Sequence, residues 1–113
     1  MNNYRAGIFA ECIACIYLIF HGFRILRRRY KTGRYTNRAE IDIIAKRKNL
    51  MVFIEVKHRH DVTTGLNAVT SAQAARLRRA AETYIAQTGW TGDARFDIMV
   101  VTNCNIRWIQ GGV

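Results

Sequence analysis

The chain has 113 residues, enough for one domain with a modest core and too few for two. Half of the residues are hydrophobic and 11% aromatic, which excludes a disordered chain. Eighteen lysines and arginines face eight acids for a formal charge of +10. That electrostatic footprint suits a phosphate backbone or another anionic partner.

Taken in chain order, the first predicted element is a helix from Asn3 to Phe20, with Ile8, Cys12, Cys15, Ile16 and Ile19 recurring at three- and four-residue steps. Its apolar run, Cys12 to Phe20, is only nine residues long, against the ~20 needed to cross a bilayer. It therefore reads as a buried core helix, with no membrane partner. Cys12 and Cys15 have C-x-x-C spacing but no second Cys pair or His pair to complete a metal or redox site. They read as buried small hydrophobes. The third cysteine, Cys104, makes the count odd. With no secretion signal apparent, a disulfide framework is not expected, and a cytoplasmic setting is.

Gly22 is a helix stop. A first strand is expected over Phe23 to Tyr30, carrying Arg27, Arg28 and Arg29. Lys31 to Ala39 is polar and basic and reads as a loop. Glu40 to Lys46 is a second strand, Arg47 to Asn49 a tight turn, and Leu50 to Lys57 a third strand, so that the two strands form a hairpin. His58 to Asn67 is a polar loop. Thr70 or Ser71 caps a second helix running to about Gln87. Its apolar stripe is Leu77, Ala81, Tyr84 and Ile85, with Arg76, Arg78 and Arg79 on the other side, and Gly89 stops it. Arg95 to Thr102 is a fourth strand and Ile106 to Gln110 a short fifth. No proline, repeat or linker divides the chain. The expected architecture is a single α/β domain over residues 1–113, a mixed β-sheet flanked by helices in the order α-β-β-β-α-β-β.

Three of the eight acids, Glu40, Asp42 and Glu55, fall inside the two hydrophobic strands of the hairpin. Strand alternation puts Glu40 and Asp42 on one face of the second strand, with Ile41 and Ile43 on the other. In the third strand, Glu55 and Lys57 share a face opposite Ile54 and Val56. A hairpin turning near Lys48 brings Asp42 within about one residue of Glu55's row, and strands lie ~5 Å apart. Two such carboxylates can hold a hard, oxygen-ligated cation such as Mg²⁺ or Mn²⁺. Lys57 is placed to orient or deprotonate an attacking water, or to stabilise charge developing on a phosphate.

These residues carry a resemblance. EIDIIAK followed by VFIEVKHR resembles the core of the PD-(D/E)XK, restriction-endonuclease-like superfamily, and more closely its YraN-like family. The first helix has Gly7, Glu11, Ala14, Tyr17, Leu18 and Gly22 at the spacings of that family. The second helix has Gln73, Arg76, Leu77, Ala80, Ala81, Tyr84 and Ile85, and Arg95-Phe96-Asp97 matches its later strand. The resemblance implies a restriction-endonuclease-like fold, with Asp42, Glu55 and Lys57 at metal-binding and catalytic positions. It implies Glu11 as a carboxylate completing the metal site, Gln73 as a supporting catalytic position, and Glu40 as a supporting residue. One departure is Ala39, where the family usually has glycine. A positive φ there would strain the alanine.

The basic residues Arg27, Arg28, Arg29, Arg34, Arg38, His58, Arg59, Arg76 and Arg79 are expected to track a phosphate backbone. Tyr30 and Tyr35 are candidates to stack on bases, and Trp90 and Trp108 to pack in the core or at an edge. The function expected is a Mg- or Mn-dependent nuclease acting on nucleic acid, DNA in the first instance, with branched or single-stranded forms among the candidate substrates. The alternatives are a catalytically silent nucleic-acid-binding module with the same fold, and an interaction protein whose basic face meets an acidic partner. A homodimer is expected by analogy with resolvase-like relatives.

Overall fold

The computed structural model describes residues 3–33, 39–60, 70–103 and 105–113. The elements are α1 (Asn3–Phe20), β1 (Arg24–Thr32), β2 (Ala39–Arg47), β3 (Leu50–His58), α2 (Ser71–Thr88), β4 (Asp93–Val101) and β5 (Ile106–Ile109). Order and type agree with the sequence reading, and the strand ends differ by one or two residues. Arg34, Tyr35, Arg38 and Cys104 lie outside the described residues.

Local chemistry explains the punctuation. Gly22 adopts φ 85°, and the Phe23 and Gly22 amides donate to the Leu18 and Ile19 carbonyls. This double closure of a helix end needs a left-handed residue, which glycine supplies without strain. α2 opens on a reciprocal cap. The Gln73 amide donates to the Thr70 hydroxyl, and the Thr70 amide donates to the Gln73 side chain. Of the two expected caps, Thr70 is the one used.

The five strands form one sheet in the order β1-β2-β3-β4-β5. β1–β2, β2–β3 and β4–β5 are antiparallel, while β3–β4 is parallel. The parallel pair requires a crossover, and α2 provides it. β1 is an edge strand whose Arg24, Arg27 and Arg28 are exposed, a charge pattern that discourages edge-to-edge pairing.

A helix covers each face. Ala14, Cys15 and Leu18 of α1 pack on Phe23, Ile43, Ala45, Val52, Ile54 and Met99. Leu77, Ala80, Ala81 and Tyr84 of α2 pack on Tyr30, Ile41, Ile44, Met51 and Phe53. Burial of Cys15 pushes its thiol above its ordinary range, consistent with an inert core cysteine. Tyr30 is buried, edge-on to Tyr84, and donates its hydroxyl to Gln87. The expectation that Tyr30 stacks on bases is therefore corrected, because its ring is committed to the core. No helix among the described residues is long and apolar enough to cross a membrane.

The C-terminal edge is closed by a buried acid. Both Asp97 oxygens accept from the Arg95 guanidinium at 2.9 Å, and each takes one further donor at 2.8 Å: Trp108 Nε1 on one and the Gly111 amide on the other. Asp97 is fully buried, and a buried carboxylate survives only when its lone pairs are filled in this way. Asp97→Ala leaves these donors without their acceptor. A loss of about 3–5 kcal/mol is expected, read in a thermal melt as a fall in Tm of at least about 10 °C. A melt within a few degrees of the parent would contradict this account.

Candidate functional site

The site forms where the sheet departs from regularity. The β2–β3 ladder runs from Arg47–Leu50 up to Ile43–Ile54, around a turn at Lys48 and Asn49. One step further lie Asp42 and Glu55. Between β1 and β2 the rungs pass from Arg28–Ile43 to Tyr30–Ile41 and skip Arg29 and Asp42, and Arg29 has a positive φ of 55°.

This irregularity corrects one expectation. Ile41 and Ile43 do not share a face: Ile41 belongs to the α2 cluster and Ile43 to the α1 cluster. The alternation of β2 therefore slips at Asp42. In β3 the alternation holds, with Ile54 and Val56 on the α1 side. Glu55 and Lys57 accordingly share the opposite face.

Asp42 is held in the slip by its own side chain. Its Oδ2 accepts the Val56 amide at 2.8 Å. Burial pushes its pKa from 3.8 up to about 8; the neighbouring Glu55 adds to this, the Val56 amide opposes it, and Glu11 and Glu40 contribute smaller rises. Glu55 is paired with Lys57 Nζ at 3.0 Å, and Lys57 is itself buried.

A cleft of about 330 Å³ opens here, lined by Ala39, Glu40, Asp42, Glu55, Gln73 and Arg76. Five residues singled out from sequence therefore meet at one cleft: Asp42, Glu55, Glu40, Gln73 and Arg76. Lys57 reaches it through its ion pair with Glu55. The Gln73 side chain serves the α2 cap, a structural duty that also fixes its place at the rim. Ala39 is not among the residues with positive φ, so alanine is unstrained where the resembled family has glycine.

Glu11 stands differently. It is buried on α1, where Arg29 Nε donates to it at 2.8 Å and Arg28 lies 3.8 Å away. It acts on Asp42 through its charge but does not line the cleft. Among the described residues, no group of three or more His, Cys, Asp or Glu side chains is arranged to hold a metal ion. Among the side-chain oxygens lining the cleft, the carboxylates of Asp42 and Glu55 come from adjacent positions on neighbouring strands, one step past the Ile43–Ile54 rung. Two carboxylates with waters are a sufficient protein contribution for Mg²⁺, so this pair fits a hard divalent cation.

The expected phosphate contacts are dispersed. Arg27 lies over the Tyr30 ring, with its guanidinium 5.3 Å from the centroid. Arg28 and Arg29 turn toward Glu11. The Arg59 guanidinium donates to the His58 carbonyl, and Arg79 is exposed on α2. Of the basic residues expected to contact phosphate, Arg76 alone among those described lines the cleft. The sequence reading missed the Val56 amide as the anchor of Asp42 and Arg29 as the partner of Glu11. Neither has a sequence signal, since one is a backbone group and the other depends on a strand irregularity.

The raised pKa of Asp42 sets a pH dependence. Between about pH 4 and 8 the folded chain keeps a proton that the unfolded chain has released. The stabilising contribution is full below about pH 4 and is lost as pH rises through 8, at up to about 1.4 kcal/mol per pH unit. Asp42→Asn removes this ionisation, so in chelator the variant should gain on the parent in Tm steadily from pH 5 to pH 8. A difference that stays constant with pH would show that Asp42 ionises normally.

The description "Uncharacterised protein family UPF0102" belongs to the family profile that matches residues 10–101. A UPF0102 protein of Rhizobium etli is 36% identical over 100 residues, covering 87% of this chain and 79% of the relative. One from Bradyrhizobium diazoefficiens is 40% identical over 100 residues, covering 87% and 72%. One from Cytophaga hutchinsonii is 35% identical over 104 residues, covering 90% and 88%.

Proposed function

The chain belongs to the UPF0102 family, and for this member we propose a PD-(D/E)XK-type nuclease, a divalent-metal-dependent endonuclease hydrolysing DNA phosphodiester bonds in the cytoplasm, with branched or single-stranded DNA as substrate. The observation that carries this reading is the meeting of Asp42 and Glu55 at one cleft, with Lys57 ion-paired beside them.

Asp42 and Glu55 would hold Mg²⁺ or Mn²⁺. When bound, the cation neutralises charge at the phosphate and makes a water more acidic. Burial first, and then the neighbouring Glu55, make Asp42 hold its proton, so a cation must displace that proton and its affinity should climb as pH approaches 8. Val56 fixes the Asp42 carboxylate through its amide. Lys57 stands where it can orient the attacking water or stabilise charge on the phosphate. Arg76 offers a cation to a neighbouring phosphate at the cleft rim, and Arg79 follows on the next turn of α2.

The test is cleavage of branched, single-stranded and duplex DNA with Mg²⁺ or Mn²⁺, alongside cation-induced shifts in Tm. Asp42→Ala should abolish both cleavage and the shift. Lys57→Ala should lower cleavage by about 10²–10⁴-fold while keeping the shift. Equal cleavage by parent and Asp42→Ala would reject the reading.

The clamp of Arg28 and Arg29 on Glu11 favours a second reading, a catalytically silent binding module, because it holds one carboxylate away from the cleft. That reading expects DNA binding that weakens steeply with salt, is unchanged by chelator, and is accompanied by no cleavage.

A further inference from the structure

Over residues 6–20, α1 is apolar on every side but for Glu11. Its inward face packs on the sheet, while its outward face presents Phe9, Ile16, Ile19 and Phe20 at 59, 55, 57 and 85% exposure, with Ile13 half-buried beside them. Helices that are hydrophobic on every side belong in an interior. Between residues 6 and 20 the one charged side chain is Glu11, which is buried against Arg29.

We infer that this face is a homodimer interface, in which α1 packs antiparallel on α1 of a second copy about a two-fold axis. The outward seam is Phe9, Ile13, Ile16 and Phe20, with steps of four, three and four, the spacing that lets two helices interlock side chains along a line. It reads the same in both directions: Phe, Ile, Ile, Phe. An antiparallel pairing centred between Ile13 and Ile16 sets Phe9 against the partner's Phe20 and Ile13 against the partner's Ile16. A two-fold interface requires self-complementarity, and this register supplies it by setting an apolar side chain against an apolar side chain at each level.

Charge narrows the occupant. Two chains of +10 repel over most of their surfaces, and this face is an uncharged patch on which they meet without opposing like charges. A helix built to lie on lipid carries Lys and Arg along its own polar side, and no described side chain of α1 does so. The exposed parts of Phe9, Ile16, Ile19 and Phe20 amount to about 500 Å² per copy, taking ~200 Å² for each large side chain, or about 1,000 Å² for the pair. That is the lower range of specific interfaces. A recess of about 420 Å³ borders the seam between Ile13 and Tyr17 of α1 and Val101 and Ile106 of the sheet, giving the partner's rim room to settle. The interface lies on the face of the sheet opposite α2 and leaves both clefts open.

Sedimentation equilibrium of the full chain tests this. An interface of that size predicts dissociation at about 1–100 µM, with a dimer of twice 13.0 kDa above that range. Phe9→Glu with Phe20→Glu places acids opposite acids in the antiparallel register and should give monomers with an unchanged circular dichroism spectrum. Phe9→Lys with Phe20→Glu places opposite charges together and should keep the dimer. A parent chain that stays monomeric at about 100 µM, or the same mass for both double variants, overturns the inference. So does a monomeric parent that binds phosphatidylglycerol vesicles through this face.

Discussion

The hydrogen bond from the Val56 amide to the Asp42 carboxylate is the constraint on which the site depends. A central strand in a sheet normally satisfies its amides through the ladder. Here the β2–β3 rungs stop at Ile43–Ile54, and the Asp42 side chain accepts in place of the regular rung. The bond spends one lone pair of Asp42 on the fold and leaves the rest of the carboxylate at the cleft. It also draws an acid into a partly buried position beside Glu55, where full ionisation of both is unfavourable.

The neighbouring charges are organised around that repulsion. Glu55 is answered by Lys57, and Glu11 by Arg29 with Arg28 nearby. Asp42 instead tends to keep a proton at neutral pH. The same slip in the sheet leaves Arg29 at positive φ and lets it reach Glu11. One local irregularity thus sets the positions of three of the carboxylates expected from sequence, two at the cleft and one held apart from it.

Much of the layout was legible in the residues. The Thr70 cap, the Gly22 and Gly89 stops and the β2–β3 turn all appear where local chemistry puts them, because each depends on residues within one or two turns of chain. The stripe expected on α1 does not: Ile16 and Ile19 are exposed, and Ala14, Cys15 and Leu18 face the sheet, since a run apolar on every side carries no periodic signal for its inward face. The meeting of Asp42 with Glu55 was also accessible, since a tight hairpin makes sequence distance a measure of register. The faces of Ile41 and Ile43 were not, because strict alternation assumes an unbroken strand. Asp97 appeared only as part of a strand motif. Its role as acceptor for Arg95, Trp108 and Gly111 requires β4, β5 and the C-terminal turn to be assembled.

The sequence alone determined the elements, their order and the acids worth pairing, since helix period, caps and hairpin length are short-range properties. The tertiary structure decided which carboxylates face the same cleft. Asp42 and Glu55 arrive there from adjacent strands, Gln73 and Arg76 come from a helix some twenty residues further along, and Glu11 is turned to an arginine pair instead. Those outcomes depend on how layers stack and where a strand slips, and energies of that kind exist only between residues distant in the chain.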